Sequence, residues 1–261
     1  MTGKELRQRI ERLGLSYVAA ATKLGLSVPG LHHQLRDEVA VSRQTELLLD
    51  CLEQHAPSRT SPVKTTLHTI PLADYMQHLS PSQHQDWKAV AEIMLRSVAT
   101  LQRAGADFVI CPDNTIHAAL PHVLPRSPLP WLHIAEEVGK EAQRRGFKKL
   151  GLTGTRFLVN SEVYPEKLAA LGIGFLRPSE EQQETINAII FEELVRGQQT
   201  PQSLRYLQQV IDQFKTKGCD AVVLGCTEIP LLINDEVSSL PTLDSTRILA
   251  RAALRRAVAK A

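Results

Sequence analysis

The chain has 261 residues, 43% hydrophobic and 22% charged, which falls in the globular range and leaves room for two domains or one domain with an appendage. A formal net charge of +2 and a pI near 8.4 are too mild to indicate a polyanionic partner by themselves. Four cysteines, at Cys51, Cys111, Cys219 and Cys226, show neither a disulfide framework nor paired CxxC zinc spacing, so reduced thiols and no metal are expected. The opening MTGKELRQRI is charged and helical rather than apolar, and no window approaches the roughly 18 apolar residues of a membrane span. A soluble, cytoplasmic protein without membrane contact is the expectation.

Thr2 to Gln54 reads as short helices. Leu6, Ile10 and Leu13 space one apolar face, and Tyr17, Val18, Ala21 and Leu24 space another. Leu24-Gly25-Leu26-Ser27 fits a tight turn between helices, with Ser27 as N-cap and Pro29 in the first turn of a helix running toward Leu35. This segment resembles the helix-turn-helix of Cro/C1-type repressors, with Ser42 to Leu52 as the packing helix. The resemblance implies DNA contact through residues 27–36. Those residues offer His32, His33, Gln34 and Arg36 with Asp37 and Glu38 close behind, so the phosphate affinity expected is modest. A helical interaction or dimerisation module fits the same pattern. The residues 55–64, HAPSRTSPVK, read as a connector, giving a helical module at 1–54, a linker at 55–64 and a second domain at 65–261.

From Thr65 strands alternate with helices, which predicts an α/β fold with a largely parallel sheet. Strands are expected at Thr65–Ile70, Asp107–Cys111, Lys148–Thr153 and Ala221–Gly225. Helices are expected at Trp87–Ala104, Ile134–Arg145, Tyr164–Leu171, Glu180–Arg196, Gln202–Thr216 and Ser245–Lys260.

The run Gly105-Ala106-Asp107-Phe108-Val109-Ile110-Cys111-Pro112-Asp113-Asn114-Thr115 aligns without a gap on Gly218-Cys219-Asp220-Ala221-Val222-Val223-Leu224-Gly225-Cys226-Thr227-Glu228. Each has a helix end at Gly, an Asp, a short buried strand and a polar cluster at the strand's carboxyl end, where open α/β sheets bind ligands. Two such pseudosymmetric halves facing each other would set Asp113 and Cys226 on opposite sides of one cleft. Inverting a stereocentre needs that arrangement, one group removing a proton and another delivering one to the opposite face. A thiol serves because its ordinary pKa of about 8.5 lies near working pH. Thr227, and Thr153, Gly154 and Thr155 after the strand that opens the second half, could hold a substrate carboxylate.

Leu224-Gly225-Cys226-Thr227-Glu228-Ile229-Pro230-Leu231, Asn114-Thr115-Ile116-His117 and Gly151-Leu152-Thr153-Gly154-Thr155-Arg156 together resemble the aspartate/glutamate racemases, which work without pyridoxal phosphate. The resemblance runs from about Thr65 to the end. It implies two pseudosymmetric α/β halves, a small amino acid substrate, commonly a homodimer, no cofactor or metal, and two-base proton transfer. Carried onto this chain, the catalytic pair is Cys226 and Asp113. The substrate-binding set is Asn114, Thr115, Thr153, Gly154, Thr155, Thr227 and Glu228, with Glu228 either orienting the substrate amine or favouring a helix N-terminus. Two departures stand out. The residue before Asn-Thr is usually Cys, sometimes Thr, and here it is Asp113, with Cys111 two residues earlier. The family's opening strand and Gly-rich turn have no counterpart before Thr65. A racemase-like ligand sensor coupled to the helical module, or a lyase or isomerase using one thiol, are the alternatives.

Overall fold

The computed structural model describes residues 2–13, 20, 31, 64–79 and 85–259. It divides into two compact units, one of Met1–Val109, His122–Pro130 and Leu254–Ala261, the other of Ile110–Pro121 and Trp131–Ala253.

In the first unit, helix α1 (Gly3–Arg12) opens with a capping box, in which the Thr2 side chain accepts from the Glu5 backbone N–H and the Glu5 carboxylate accepts from that of Thr2. Its buried residues Leu6 and Ile10 stand four apart on one face. The remainder of the helix-turn-helix expectation, the turn at Ser27, the recognition helix but for Leu31, the packing helix and the linker up to residue 63, lies outside the described residues. After the short helix α2 (Leu72–Met76), α3 (Trp87–Arg103) is capped by Asp86, whose carboxylate accepts from the Ala89 N–H, and buries Val90, Ala91, Met94 and Val98. Thr65–Ile70, expected as a strand, is neither strand nor helix. Its β-forming residues are mostly exposed and, among the described residues, have no strand paired with them, and strand propensity expresses itself only against a packed neighbour. The segment is fastened instead by His68 Nδ1 to Ser97 Oγ, 2.9 Å.

Strand β1 is only Val109–Ile110, shorter than expected, and it shares a two-stranded sheet with β2 (Trp131–Leu132). Between them lie a 3-10 helix at Thr115–Ala119 and the short helix α4 (Leu120–Val123).

The second unit is built on a four-stranded parallel sheet of β3 (Lys149–Thr153), β4 (Gly174–Leu176), β5 (Ala221–Leu224) and β6 (Thr242–Asp244), in the order β4-β3-β5-β6. Successive strand residues point to opposite faces, and the burial follows that alternation. Leu150, Leu152, Ala221, Val223 and Leu243 face one core with α5 (Ile134–Arg144) and α7 (Val163–Ala169). Val222 and Leu224 face the other, with α8 (Glu180–Ala188) and α9 (Pro201–Thr216). Gly151 lies on that second face because Phe214 covers it: a Cβ there would fall 2.3 Å from the ring. Both faces being covered explains why β5 reads as an uninterrupted apolar run.

The helix expected over Glu180–Arg196 ends at Ala188, continues as a π-turn at Ile189–Glu193 and closes as a 3-10 turn at Leu194–Arg196. Glu193 there accepts from the hydroxyls of Thr200 and Ser203, which draws the helix end onto the start of α9. The strands β2, β4 and β6, of two or three residues each, were not read from the sequence because they are too short to show a period.

The gapless echo is matched in the backbone. Gly105 and Gly218 both take a left-handed conformation, φ 81° and 80°, after a helix end. Each following residue, Ala106 and Cys219, donates back five residues to Leu101 and Phe214. A non-glycine residue is disfavoured at both points, so each helix is turned sharply into its strand.

Candidate active site

Along the sheet, β3 connects first to β4 on one side, and the chain then returns as β5 on the other side of β3. Open parallel sheets leave a crevice at the carboxyl ends of strands where the winding direction reverses. At those ends lie Thr153, the last residue of β3, with Gly154-Thr155 after it, and Gly225-Cys226-Thr227-Glu228 after β5.

The two loops come together because both carry glycine. A Cβ on Gly225 would lie 2.4 Å from the Thr153 carbonyl oxygen, and one on Gly154 would lie 3.2 Å from the Gly225 oxygen. Gly225 N–H donates to Thr153 O at 2.9 Å, so the strand ladder continues one residue past β5 before Cys226 departs.

Cys226 is partly buried, and its thiol donates to Glu228 Oε2 at 2.9 Å. Thr227 Oγ1 donates to the same oxygen at 2.6 Å, which fixes the carboxylate beside the sulfur. Burial, then the negative charge of Glu228 and its hydrogen bond, push the thiol well above its ordinary pKa, and the Asp113 charge adds in the same direction. The sulfur therefore rests protonated at neutral pH, with a proton acceptor already in contact.

Asp113 precedes the 3-10 helix, and its Oδ1 accepts from the backbone N–H groups of Thr115 at 2.8 Å and Ile116 at 3.4 Å. Its carbonyl accepts from His117 Nδ1 at 2.7 Å, while His117 Nε2 accepts from the Ile134 N–H at 3.3 Å. His117 is thus held as one neutral tautomer, joining the Asp113 turn to the start of α5. Burial takes its pKa down to about 4. His133, edge-on at 4.9 Å between ring centroids, falls to about 3 through burial and then the charges of His117 and Lys167. Cys111 is pushed up to about 12, first by burial and then by the Asp113 charge.

The expected substrate-binding residues divide into two groups. Thr115 and Thr155 meet directly, Oγ1 to Oγ1 at 3.1 Å, joining the Asp113 turn to the loop after β3. Thr155 also caps the short helix α6 (Arg156–Val159) by accepting from the Leu158 N–H. Thr227 and Glu228 stand with Cys226. By contrast, Thr153 is 2% exposed and its hydroxyl donates to Val223 O, and Asn114 is 2% exposed with both ends of its amide engaged inside the protein. Asn114 Oδ1 accepts from Tyr164 Oη at 2.7 Å, and Nδ2 donates to Ser245 Oγ at 2.9 Å. Sequence reasoning missed Tyr164 and Ser245: nothing in their local pattern separates them from ordinary helix residues. Among the described residues, no group of three or more His, Cys, Asp or Glu is arranged to hold a metal, and no helix is long and apolar enough to cross a membrane.

The model of the Asp/Glu/hydantoin racemase family matches residues 43–253. The chain belongs to this racemase family. It is 25% identical over 171 residues to the broad specificity amino-acid racemase RacX of Bacillus subtilis (strain 168), spanning 66% of this chain and 72% of that one. Its fold is similar to that of a Yersinia pestis protein assigned as an Asp/Glu racemase, with 28% identity and a TM-score of 0.71 over 83% of this chain and 96% of the other. An aspartate racemase homologue from Pyrococcus horikoshii OT3 is similar at 25% identity and a TM-score of 0.67, over 82% and 93% of the two chains. The protein is thus an α/β isomerase of the racemase type. Its family match begins at residue 43, ahead of the Thr65 from which the resemblance in the sequence ran.

Proposed function

We propose that this racemase inverts the α-carbon of a small amino acid by two-base proton transfer, with Cys226 and Asp113 serving its two faces and no cofactor taking part. The observation that carries the reading is the Cys226 thiol donating to Glu228 at 2.9 Å. A thiol alone, raised well above its ordinary pKa, would be too weak an acid to supply thiolate at neutral pH. With Glu228 in contact, the thiol proton passes to that carboxylate, and the sulfur can then remove the α-proton from one face. Asp113, entering as the carboxylic acid, delivers a proton to the other face. The turnover leaves Cys226 and Glu228 protonated and Asp113 ionised, which is the state that converts the opposite enantiomer, Glu228 then returning its proton to the sulfur.

The hydroxyls of Thr115 and Thr155 would receive the substrate carboxylate, stabilising charge as the carbanion develops. Thr227 holds Glu228 in place. Asn114 and Thr153 support the loops from below rather than touching substrate, because their side chains are spent on internal bonds.

The test is incubation of a panel of L- and D-amino acids, aspartate and glutamate included, in deuterated water. Wild type should incorporate deuterium at the α-carbon and produce the other enantiomer, and Cys226→Ser should lose at least about 1,000-fold in rate. Incorporation undiminished in Cys226→Ser would remove this mechanism. Incorporation with retention throughout would point instead to one-base chemistry at the thiol.

A further inference from the structure

We propose that Ser245 and Thr246, at the start of the final helix α10 (Ser245–Val258), are positioning residues that hold the Asp113 turn and the Cys226 loop at a fixed separation. The inference rests on the two-base reading and names what keeps the two bases in register.

Ser245 is fully buried. Its hydroxyl has one proton and is approached by the Asn114 Nδ2 group, which can only donate. The serine proton is therefore directed to Leu224 O, where the contact is 2.8 Å. Asn114 follows Asp113 in the chain, and Leu224 lies two residues before Cys226. One hydroxyl thus spans both loops. Tyr164 Oη completes the chain by donating to the far side of the same Asn114 amide, so its orientation is set from both ends. The next residue, Thr246, donates its hydroxyl to Pro112 O at 3.4 Å, on the other side of Asp113.

Sheet register delivers this dipeptide to its place. Asp244, the last residue of β6, is paired with Leu224, the last of β5, so Ser245 emerges beside the strand end it bonds. The helix that follows is anchored by buried Ile248, Leu249 and Ala252. The dipeptide is therefore a rigid reference point rather than a loop that could follow either base.

Racemisation depends on this separation in a way that exchange on one face does not. Removing and returning a proton through one base needs only that base in position, whereas inversion needs both. A misplacement of about 1 Å can cost on the order of 100-fold in rate.

The experiment uses the full-length protein and the variants Ser245→Ala, Thr246→Val, Thr246→Ser and Tyr164→Phe. For each, inversion and same-enantiomer α-deuteration are measured together with Tm. In Ser245→Ala, and less in Thr246→Val and Tyr164→Phe, inversion should fall at least about tenfold further than exchange. Thr246→Ser, which keeps the hydroxyl, should retain the wild-type ratio. Equal loss of both processes in Ser245→Ala would overturn the proposal, since general destabilisation lowers both alike. Backbone hydrogen exchange supplies a readout independent of catalysis: in Ser245→Ala, residues 111–117 and 223–228 should exchange faster together while Gly174–Leu176 is unchanged. A response confined to the final helix, or none, would overturn the positioning role. A wild-type protein without α-proton exchange would defeat the racemase reading, and the hydrogen-exchange arm would still decide whether Ser245 joins the two loops.

Discussion

Cys226 and Glu228 form a donor and acceptor pair two residues apart, and that contact adds to what burial does to the thiol. Burial disfavours the thiolate, and a carboxylate beside it disfavours it further. Replacing Glu228 by Gln removes the negative charge while keeping the side chain's size. The thiol pKa should then fall, and alkylation of Cys226 by iodoacetamide at pH 7 should become faster. On the two-base proposal racemisation should nevertheless slow by about 100-fold or more, because the carboxylate proposed to take the thiol proton is gone. Mass-spectrometric alkylation rates beside racemisation rates would test this, and slower alkylation in the variant would show that Glu228 does not raise the thiol. The Cys226 end of the candidate site was legible in the sequence as a concentration of polar groups, Gly-Cys-Thr-Glu at a strand end. Asn114 and Thr153 were expected to bind substrate, and the structure engages both side chains inside the protein. Whether an amide turns toward a cleft or toward a buried tyrosine and serine depends on residues 50 and 131 positions away.

At the scale of elements, the candidate site is assembled because two strand ends approach closely. Gly225 permits the contact, as any Cβ there would overlap the Thr153 carbonyl oxygen and the Leu158 side chain. Gly225→Ala should cost about 1–3 kcal/mol of stability through overpacking and should displace Cys226 from its partner. A lowered urea midpoint together with reduced α-proton exchange is the expected result, and a fully stable, fully active variant would refute the close approach. The longer helices and the strands β3 and β5 followed from apolar period and length. The segment Thr65–Ile70 misled because strand-forming residues were present without a pairing strand among the described residues. The π-turn at Ile189–Glu193 carried no local signal, since Glu193 is held by Thr200 and Ser203 across a turn.

For the whole molecule, the buried His117 and the partly buried His133 tie stability to pH. His117 and His133 stay neutral in the folded protein down to about 4 and about 3, against an ordinary value of 6.5. The unfolded chain takes up these protons first, so the contribution is fully present above pH 6.5 and is lost as pH falls toward 4. In His117→Asn the loss of stability over that interval should be smaller by up to about 1.4 kcal/mol per pH unit, read from urea unfolding at several pH values. An unchanged slope would show that His117 protonates equally in both states. The sequence by itself determined the α/β class, the racemase family and the thiol at the end of β5, because these rest on local period and on short runs of neighbouring residues. Only the tertiary structure decided which polar residues face inward, which glycines bring the strand ends together and how Ser245 reaches both loops. Those outcomes depend on sheet order and register, which bring residues distant in sequence within a hydrogen bond of one another.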